Sequence, residues 1–458
     1  MRTFAAPPRK SRRHSKSGRF MIWILVVLLG LTGAIYLAKY VLPGPGGVPG
    51  STTVPTESNP SQTQNGTEPE TSIQPSIEST TAEPAQSRIR LIGVGDIIMH
   101  NALINWGLQN PGEQPAVYNY DHLFEYVDSI LAEADLTMAN FEGTTAGEPY
   151  KGFPYFSAPD AIADAMKAAG FDVVWTANNH AFDRGLDGMI RTASVFRERG
   201  FHVIGTRPDE SSPADTVVNV GGIRIGLMAY TYETPGTETT KSLNGINMPA
   251  AADPLIDTFN PYRDSSFKAD MAAMLGRAAA LREQGAEFIC LSLHWGNEYE
   301  TRSANYQREM AQQLCDAGIG LILGHHPHVI QEIDILTSAR TGQSTLVYYS
   351  LGNFLHNMDY FTHGSQGKAQ DAIIARITLL KSQGEVSIEL AEYIPTYVQF
   401  YPPGDGLEHF VVPVLPALDD PEGFRTNTKD IQASLNRIRA ILSDSTGNEK
   451  IPVKEATR

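Results

Sequence analysis

An apolar run, Ile319 to Leu323, leads directly into the segment Gly324-His325-His326-Pro327-His328. A short apolar run that ends at glycine is typical of a buried parallel strand that enters a loop. Ligands of open α/β sheets bind beside the carboxyl ends of such strands, and neutral imidazole is the commonest metal ligand. Pro327 stiffens the loop, so we expect His326 and His328 to face one metal ion. A polar surface loop is the alternative.

Apolar runs alternate with helical patterns through the middle of the chain, which predicts an α/β domain with much parallel pairing. The predicted strands are 90–94, 136–141, 171–177, 202–204, 223–230, 286–293 and 319–323, and the predicted helices are 123–134, 158–169, 184–199, 268–284 and 304–317. Three later strands, 345–349, 372–380 and 386–393, have no helices between them. This late part predicts a second sheet stacked on the first.

Polar side chains recur directly after the predicted strands. Taken singly, an Asp or Asn at such a place is usually a turn former or a helix cap. Together they form an oxygen-and-nitrogen ligand set without cysteine, which suits Mn, Fe or Zn. Such a set could hold two metal ions with a bridging carboxylate, an arrangement that activates water and binds phosphate during hydrolysis. The set comprises Asp96, Asn140, Glu142, Asn179, His180, His294, His326 and His328.

The N-terminal part has three compositional segments. Residues 1–19 hold seven Lys/Arg and no acidic residue, residues 20–42 are apolar with Lys39 as their one charge, and residues 43–87 are rich in Pro, Gly, Ser and Thr. About twenty apolar residues cross a bilayer. The basic flank predicts a cytoplasmic N-terminus with the main domain outside the cell, and a cleaved signal peptide is the alternative. The third segment predicts a disordered linker.

The charge outside the basic tail is strongly negative. After residue 19 the chain carries 29 basic and 51 acidic side chains, a net of −22. Binding to nucleic acid relies on Lys and Arg that neutralise phosphates, so nucleic acid is not expected as a partner.

Cys290 and Cys315 are too few for a disulfide framework, and we expect two buried free thiols. Residues 416–458 predict a helix that packs on its own domain, with partner binding as the alternative.

The ordered motifs resemble those of the bacterial CapA family, which is known for capsule synthesis and includes PgsA, a membrane-anchored component of poly-γ-glutamate production. The resemblance covers about residues 88–415 and implies a four-layer α/β/β/α sandwich of the calcineurin-like metallophosphatase type. The motifs are Gly95-Asp96, Asn140-Phe141-Glu142, Asn178-Asn179-His180 with Asp183, His294-Trp295-Gly296 with Glu298, His326-Pro327-His328, and Ser350-Leu351-Gly352-Asn353-Phe354.

The resemblance also implies roles for individual residues. The implied metal ligands are Asp96, Glu142, Asn179, His294, His326 and His328, with Glu142 roughly in the bridging position, and His180 is the implied catalytic proton donor. Side chains expected to orient these ligands or to touch substrate are Asn140, Asp183, Glu298, His325 and Asn353. The family's Asp-x-His opening is absent, because Ile97 and Ile98 follow Asp96 and the next histidine is His100. The resemblance is therefore compatible with either one or two metal ions.

Two functions follow as expectations. The first is a membrane-anchored, extracytoplasmic component of capsule or poly-γ-glutamate synthesis or export with a metallophosphoesterase-like site. The second is a non-catalytic subunit of a membrane polymer synthase that uses the pocket for binding or structure. Either would have the bilayer, synthase subunits and an anionic polymer as partners. A general secreted phosphatase unconnected with capsule is a third alternative.

Overall fold

The structure is a computed structural model that describes residues 86–456 except 238, 402–407, 444 and 446–450. The predicted cytoplasmic tail, the predicted transmembrane helix and nearly all of the predicted linker lie outside the described residues. Among the residues that are described, no helix is both long enough and apolar enough to cross a membrane.

Each of the ten predicted strands has a counterpart in the structure. The α-helices are Asn101–Trp106, Asp128–Leu131, Ala161–Ala168, Gly185–Glu198, Asp264–Glu283, Asn305–Asp316, Val414–Asp419 and Thr428–Leu442. The strands are β1 (Ser87–Ile97), β2 (Leu136–Phe141), β3 (Val173–Trp175), β4 (His202–Ile204), β5 (Thr216–Val220), β6 (Ile223–Tyr232), β7 (Ser242–Leu243), β8 (Ile246–Asn247), β9 (Thr258–Phe259), β10 (Phe288–His294), β11 (Leu321–His325), β12 (Ile333–Thr337), β13 (Ser344–Tyr348), β14 (Asn353–Leu355), β15 (Asp371–Ser382), β16 (Glu385–Tyr401), β17 (Glu408–Pro413) and β18 (Val453–Glu455). Strand β16 extends well past its predicted end at residue 393. Eight described strands were not predicted, namely β5, β7, β8, β9, β12, β14, β17 and β18.

Two large mixed sheets contain most of the described strands. The first has the order β17-β16-β15-β1-β2-β3-β4, with β14 beside β1 and β18 beside β16. The second has the order β12-β13-β11-β10-β6-β5, with β9 beside β6. Strands β1 to β4 run parallel, as do β6, β10, β11 and β13. The carboxyl ends of parallel strands meet at one edge of a sheet, which is where polar residues can converge.

The sheets stack face to face and share one apolar core. Cys290 Sγ of the second sheet lies 3.9 Å from Met138 Sδ of the first. A Cβ at Gly93 would lie 2.8 Å from a methyl carbon of Leu323. A second core fills the space between the outer face of the first sheet and its helices, and a third does so for the second sheet. The resulting order of helices, sheet, sheet and helices matches the predicted four-layer α/β/β/α arrangement.

Two of the three late strands lie outside the second sheet, contrary to the sequence prediction. Strand β15 pairs antiparallel with β1, and β16 pairs with β15, so both extend the first sheet. Only β13 of the predicted late strands joins the second sheet, beside β11. Antiparallel neighbours need only a short turn, so the β15–β16 hairpin can add to whichever sheet offers an open strand. Here that strand is β1.

The prediction of a continuous helix over 123–134 is also partly wrong. The segment forms a 3₁₀ turn, Asp121–Phe124, and a short helix, Asp128–Leu131. Val127 lies between them with φ −124°, which departs from helical values. Its side chain is nevertheless buried with those of its apolar neighbours, so the pattern predicted the buried face but not the regular helix.

The C-terminal helix Thr428–Leu442 packs on its own domain, as expected. Ile431, Leu435 and Ile438 are buried in the core that the two sheets share. Its Arg437 binds the buried Asp371 of β15 through two hydrogen bonds, of 2.6 and 2.7 Å. Cys290 and Cys315 are both buried and free, which confirms the expectation for the thiols.

Candidate metal centre

The ends of four parallel strands place the candidate ligands at one edge of the sandwich. Asp96 of β1 is in register with Asn140 of β2, and Glu142 follows the end of β2 directly. In the second sheet, His294 ends β10 and is in register with His325, which ends β11. The site is therefore built from both sheets, although its residues are far apart in sequence.

Close backbone packing brings a further segment to this edge. A Cβ at Gly95 would lie 1.9 Å from the carbonyl oxygen of Gly352, and a Cβ at Gly324 would lie 1.9 Å from the carbonyl oxygen of Tyr349. No side chain fits at such distances, so glycine allows the loop between β13 and β14 to pass against both strands. The loop delivers Asn353, which is in register with Asp96.

Glu142 lies at the centre of the site. Its side chain is buried, and neither carboxylate oxygen has a hydrogen-bond partner. Its Oε1 lies 3.9 Å from Nε2 of His180, 3.8 Å from Nε2 of His294 and 3.9 Å from Nε2 of His328. Burial, followed by the neighbouring charge of Asp96, raises the pKa of Glu142 well above its ordinary value. A buried carboxylate without partners is costly, so this arrangement fits a bound cation.

Two candidate ligand groups share Glu142. One joins it to His294 and His326, and the other joins it to Asp96 and His328, with the ligand atoms of each group within 4.8 Å of one another. A carboxylate common to two groups is what a bridged pair of metal ions requires. The exposed Glu298 forms a third group with His326 and His328.

Asp96 is fully buried and already has polar neighbours. Its Oδ1 accepts a 2.7 Å hydrogen bond from Asn140 Nδ2 and lies 3.1 Å from Nδ1 of His325. Its Oδ2 accepts a 3.2 Å hydrogen bond from the backbone N–H of His326. Burial opposes the charged form, but the contacts with His325, His328 and Asn140 outweigh it and lower the pKa of Asp96. It is therefore a carboxylate at neutral pH.

Two imidazoles at the end of the second sheet, those of His294 and His326, are neutral. Burial, together with neighbouring imidazoles, lowers the pKa of His294 well below its ordinary value and the pKa of His326 to about 3. Nε2 of His294 lies 2.9 Å from Oδ1 of Asn179. A metal ligand must carry a free lone pair, which a neutral imidazole supplies.

His180 is held differently from the other histidines. Its Nδ1 lies 2.8 Å from Oδ2 of Asp183, and the edge of its ring meets the ring of Phe156 with the centroids 4.8 Å apart. The same carboxylate oxygen accepts the backbone N–H of Phe156. Because Asp183 holds Nδ1, Nε2 is directed toward Glu142. This orientation suits a group that exchanges a proton with a bound substrate.

The loop after β11 is strained. His326 has φ +96° and His328 has φ +57°, both in the left-handed region. Non-glycine residues held there cost about 1–3 kcal/mol each and cluster at functional sites. Asn353 helps to hold the loop, since its Oδ1 lies 2.9 Å from Nδ1 of His328 and its Nδ2 donates to the carbonyl of the same residue.

A cleft of about 390 Å³ opens beside the candidate ligands. Glu142, His180, Glu298 and His328 line one part of it. The remaining lining is aromatic, aliphatic or uncharged polar, with two further imidazoles, and comprises Ile98, His100, Phe153, Phe156, Asn244, Tyr299, Asn357, Met358, Thr362 and His363. The centre therefore opens into a pocket of mixed polarity.

The structure places the predicted site residues as one cluster. Asn140, His325 and Asn353 touch Asp96 or His328, while Asp183 orients His180. Sequence reasoning missed Asn244, whose Nδ2 lies 3.4 Å from Nδ1 of His180, and Tyr232, whose ring centroid lies 4.7 Å from that of His326. Asn244 lies between the short strands β7 and β8, and Tyr232 ends β6. Neither belongs to a metal-like motif, so no local signal marked them.

The residues present fit metal ions. The unpartnered oxygens of Glu142, the neutral imidazoles and the oxygens of Asp96 and Asn179 form a buried donor set of the kind that borderline divalent metals take. These side chains would hold the metal.

Comparisons with known proteins agree with the motifs. The family model described as "Bacterial capsule synthesis protein PGA_cap" matches residues 90–358, more than half of the chain. The chain belongs to this family. The match confirms the family resemblance expected from the ordered motifs.

Two relatives and one solved structure are similar to this chain. The chain is 26% identical to the capsule biosynthesis protein CapA of Bacillus anthracis over 321 residues, 68% of each chain. It is 29% identical to the PGA biosynthesis protein CapA of Bacillus subtilis over 247 residues, 52% of this chain and 58% of that protein. A similar solved structure is the calcineurin-like phosphoesterase YfkN of Bacillus subtilis, with 11% identity and a TM-score of 0.36, which covers 78% of this chain and 98% of that one.

Proposed function

We propose that this chain is a membrane-anchored, extracytoplasmic component of capsule or poly-γ-glutamate production that carries a metal-dependent phosphoesterase-type site. Family membership supports the capsule part. The apolar segment 20–42 with its basic flank supports the anchor and its orientation. The partners proposed with it are the bilayer, membrane synthase subunits and an anionic polymer.

Glu142 is the observation that carries the hydrolytic part. A buried carboxylate whose two oxygens lack hydrogen-bond partners, surrounded by three imidazole nitrogens, is stable as an anion only with a cation. Metal ions held there by Asp96, Glu142, Asn179 and the histidines would activate a water and offset the charge of a phosphoryl group.

The chain's own residues have separate parts in such a reaction. Asp183 keeps the ring of His180 oriented so that Nε2 can donate a proton to a leaving oxygen. Asn140 and Asn353 hold Asp96 and His328 in place through hydrogen bonds. The buried walls exclude bulk water, which strengthens these electrostatic interactions.

One observation favours the alternative, a non-catalytic subunit of a membrane synthase. Both oxygens of Asp96 already have polar neighbours within the protein. A ligand so well satisfied can be structural, and the pocket would then bind a carboxylate or a single cation without turnover.

Metal content and turnover measured on the same purified protein separate the two functions. We expect two equivalents of a transition metal in the wild type, loss of metal in Asp96→Ala and His326→Ala, and hydrolysis of a phosphodiester that disappears with the metal. A folded wild type that binds no metal after loading with Mn or Zn would exclude the hydrolase. Metal without turnover of any phosphoester would favour the binding subunit.

Capsule formation tests the connection with polymer production. Deletion of the gene should abolish the capsule, and the wild-type gene should restore it. Restoration by the His326→Ala variant as well would show that the protein acts in capsule production without its metal centre.

A further inference from the structure

The lining of the cleft contains no cationic side chain other than imidazole. Among the described residues that line it there is no lysine and no arginine, whereas two of the lining side chains, Glu142 and Glu298, are acidic. Proteins bind polyanions through clusters of Lys and Arg. The cleft is therefore unsuited to a chain of carboxylates, although the metal centre beside it could hold one anionic group.

The rest of the lining is rich in rings and apolar surface. Phe153, Phe156, Tyr299 and Met358 form much of the wall. Phe156 meets the ring of His100 edge-on on one side, with centroids 5.4 Å apart, and the ring of His180 on the other. Aromatic walls of this kind bind the faces and edges of ring-shaped groups.

His100 adds one polar contact to this wall. Its Nε2 is buried without a hydrogen-bond partner in the described part of the chain. The imidazole lines the same cleft as His180 and Glu142, yet it belongs to neither of the groups that share Glu142. A buried polar atom that lacks a partner is uncommon in proteins, and a polar atom of a bound ligand would satisfy it.

We propose that this cleft selects a phosphoester whose ester group is uncharged and ring-shaped. The phosphoryl group would lie at the metal centre, the ring would pack against Phe153 and Tyr299, and His100 would contact a polar atom of the ester group. A cavity of about 150 Å³ holds benzene, so about 390 Å³ accommodates a group of one or two rings. This inference rests on the proposed phosphoesterase function and names its substrate class.

Binding of three phosphonates to the full-length, metal-loaded protein tests the proposal by titration calorimetry. Phenylphosphonate should bind at least ~10-fold tighter than methylphosphonate, because the ring is removed from water. The 4-carboxyphenyl derivative should bind at least ~5-fold more weakly than phenylphosphonate, because its second anion would face Glu298 without a cationic partner.

Two matched variants locate the effect. Phe153 is 64% exposed and Phe361 is 81% exposed, so alanine at either position should leave the fold intact, which thermal unfolding would check. In Phe153→Ala, phenylphosphonate should bind no more than ~3-fold tighter than methylphosphonate, because the substitution removes part of the wall. Phe361→Ala should keep the wild-type preference, since Phe361 does not line the cleft.

The outcomes separate this proposal from the one on which it rests. Equal binding of methylphosphonate and phenylphosphonate would overturn the ring-selective cleft and leave the phosphoesterase function standing. The ring-selective cleft would also be overturned if the 4-carboxyphenyl derivative bound tightest, or if Phe153→Ala and Phe361→Ala lost the preference for phenylphosphonate equally. If no phosphonate binds, both proposals fail together.

Discussion

At the scale of single residues, Glu142 decides what the site can be. Its neighbours are close enough to share a cation with it but too far away to hydrogen-bond to it. A protein that needed this carboxylate only for structure would satisfy its oxygens with donors.

We expect Glu142→Gln to weaken metal binding by at least ~100-fold, because a shared anionic ligand is replaced by a neutral one. Stability of the metal-free protein should not fall, since the substitution removes a carboxyl group whose burial without partners is unfavourable. Metal titration and denaturant unfolding measure the two effects. Glu298→Gln is the control, and its effect on metal binding should be much smaller because Glu298 is exposed.

Metal binding should depend on pH through the same residue. The pKa of Glu142 is raised well above its ordinary value by burial, so below that raised pKa the site binds a proton that the metal must displace. Metal affinity should therefore increase as pH rises toward the raised pKa and level off above it. Calorimetry in buffers of different ionisation enthalpy should show the release of about one proton per site. A metal affinity that stays constant as the pH falls through the acidic range would contradict the raised pKa.

At the scale of elements, the approach of the β13–β14 loop to the strand ends sets the positions of the ligands. The loop touches β1 at Gly95 and β11 at Gly324. Asn353 then reaches both the edge of β1 and the side chain of His328.

Gly95→Ala should destabilise the fold by about 3 kcal/mol or more, because its Cβ would overlap the carbonyl oxygen of Gly352 and force the backbone apart. Metal affinity should fall as well, since Asp96 is the next residue. Gly276→Ala in the helix Asp264–Glu283 is the matched control, because a Cβ there would meet nothing within 4 Å. That change should stabilise the protein by roughly 0.5–1 kcal/mol. Chemical denaturation compares the two.

The C-terminal helix carries two ion pairs that differ in burial. Arg437 binds Asp371, which is fully buried, whereas Arg439 binds Glu455 with its own side chain 50% exposed. Arg437→Ala should cost about 3 kcal/mol of unfolding free energy, because it leaves a buried carboxylate unpaired. Arg439→Ala should cost no more than about 1 kcal/mol. Equal losses would show that Asp371 does not depend on its partner.

At the scale of the whole molecule, the site joins two sheets and should link metal binding to global stability. Glu142 follows the first sheet, while His294 and His326 follow strands of the second. A metal ion bound between them would hold both halves of the sandwich together.

Metal at about 100 times its dissociation constant should therefore raise the free energy of unfolding by about 2.7 kcal/mol. Thermal unfolding with and without a chelator measures this directly. The rise should be absent in His326→Ala. A metal that changes the melting temperature of that variant as much as that of the wild type would bind elsewhere.

Much of this protein could be predicted from the sequence, because local patterns carry the information. The apolar runs predicted ten of the eighteen described strands, and the polar residues that follow them predicted the cluster around Asp96 and His326. Parallel strands place their carboxyl ends at one edge, so ligands distant in sequence could be grouped without coordinates. The ordered motifs indicated the family.

Only the tertiary structure decided the rest. Strand order depends on long-range hydrogen bonding, which no local pattern encodes, so the assignment of β15 and β16 to the first sheet could not be predicted. The lack of partners for Glu142 follows from what surrounds it in three dimensions. The cleft, with His100 and Asn244 in its wall, arises from loops that meet only in the folded chain.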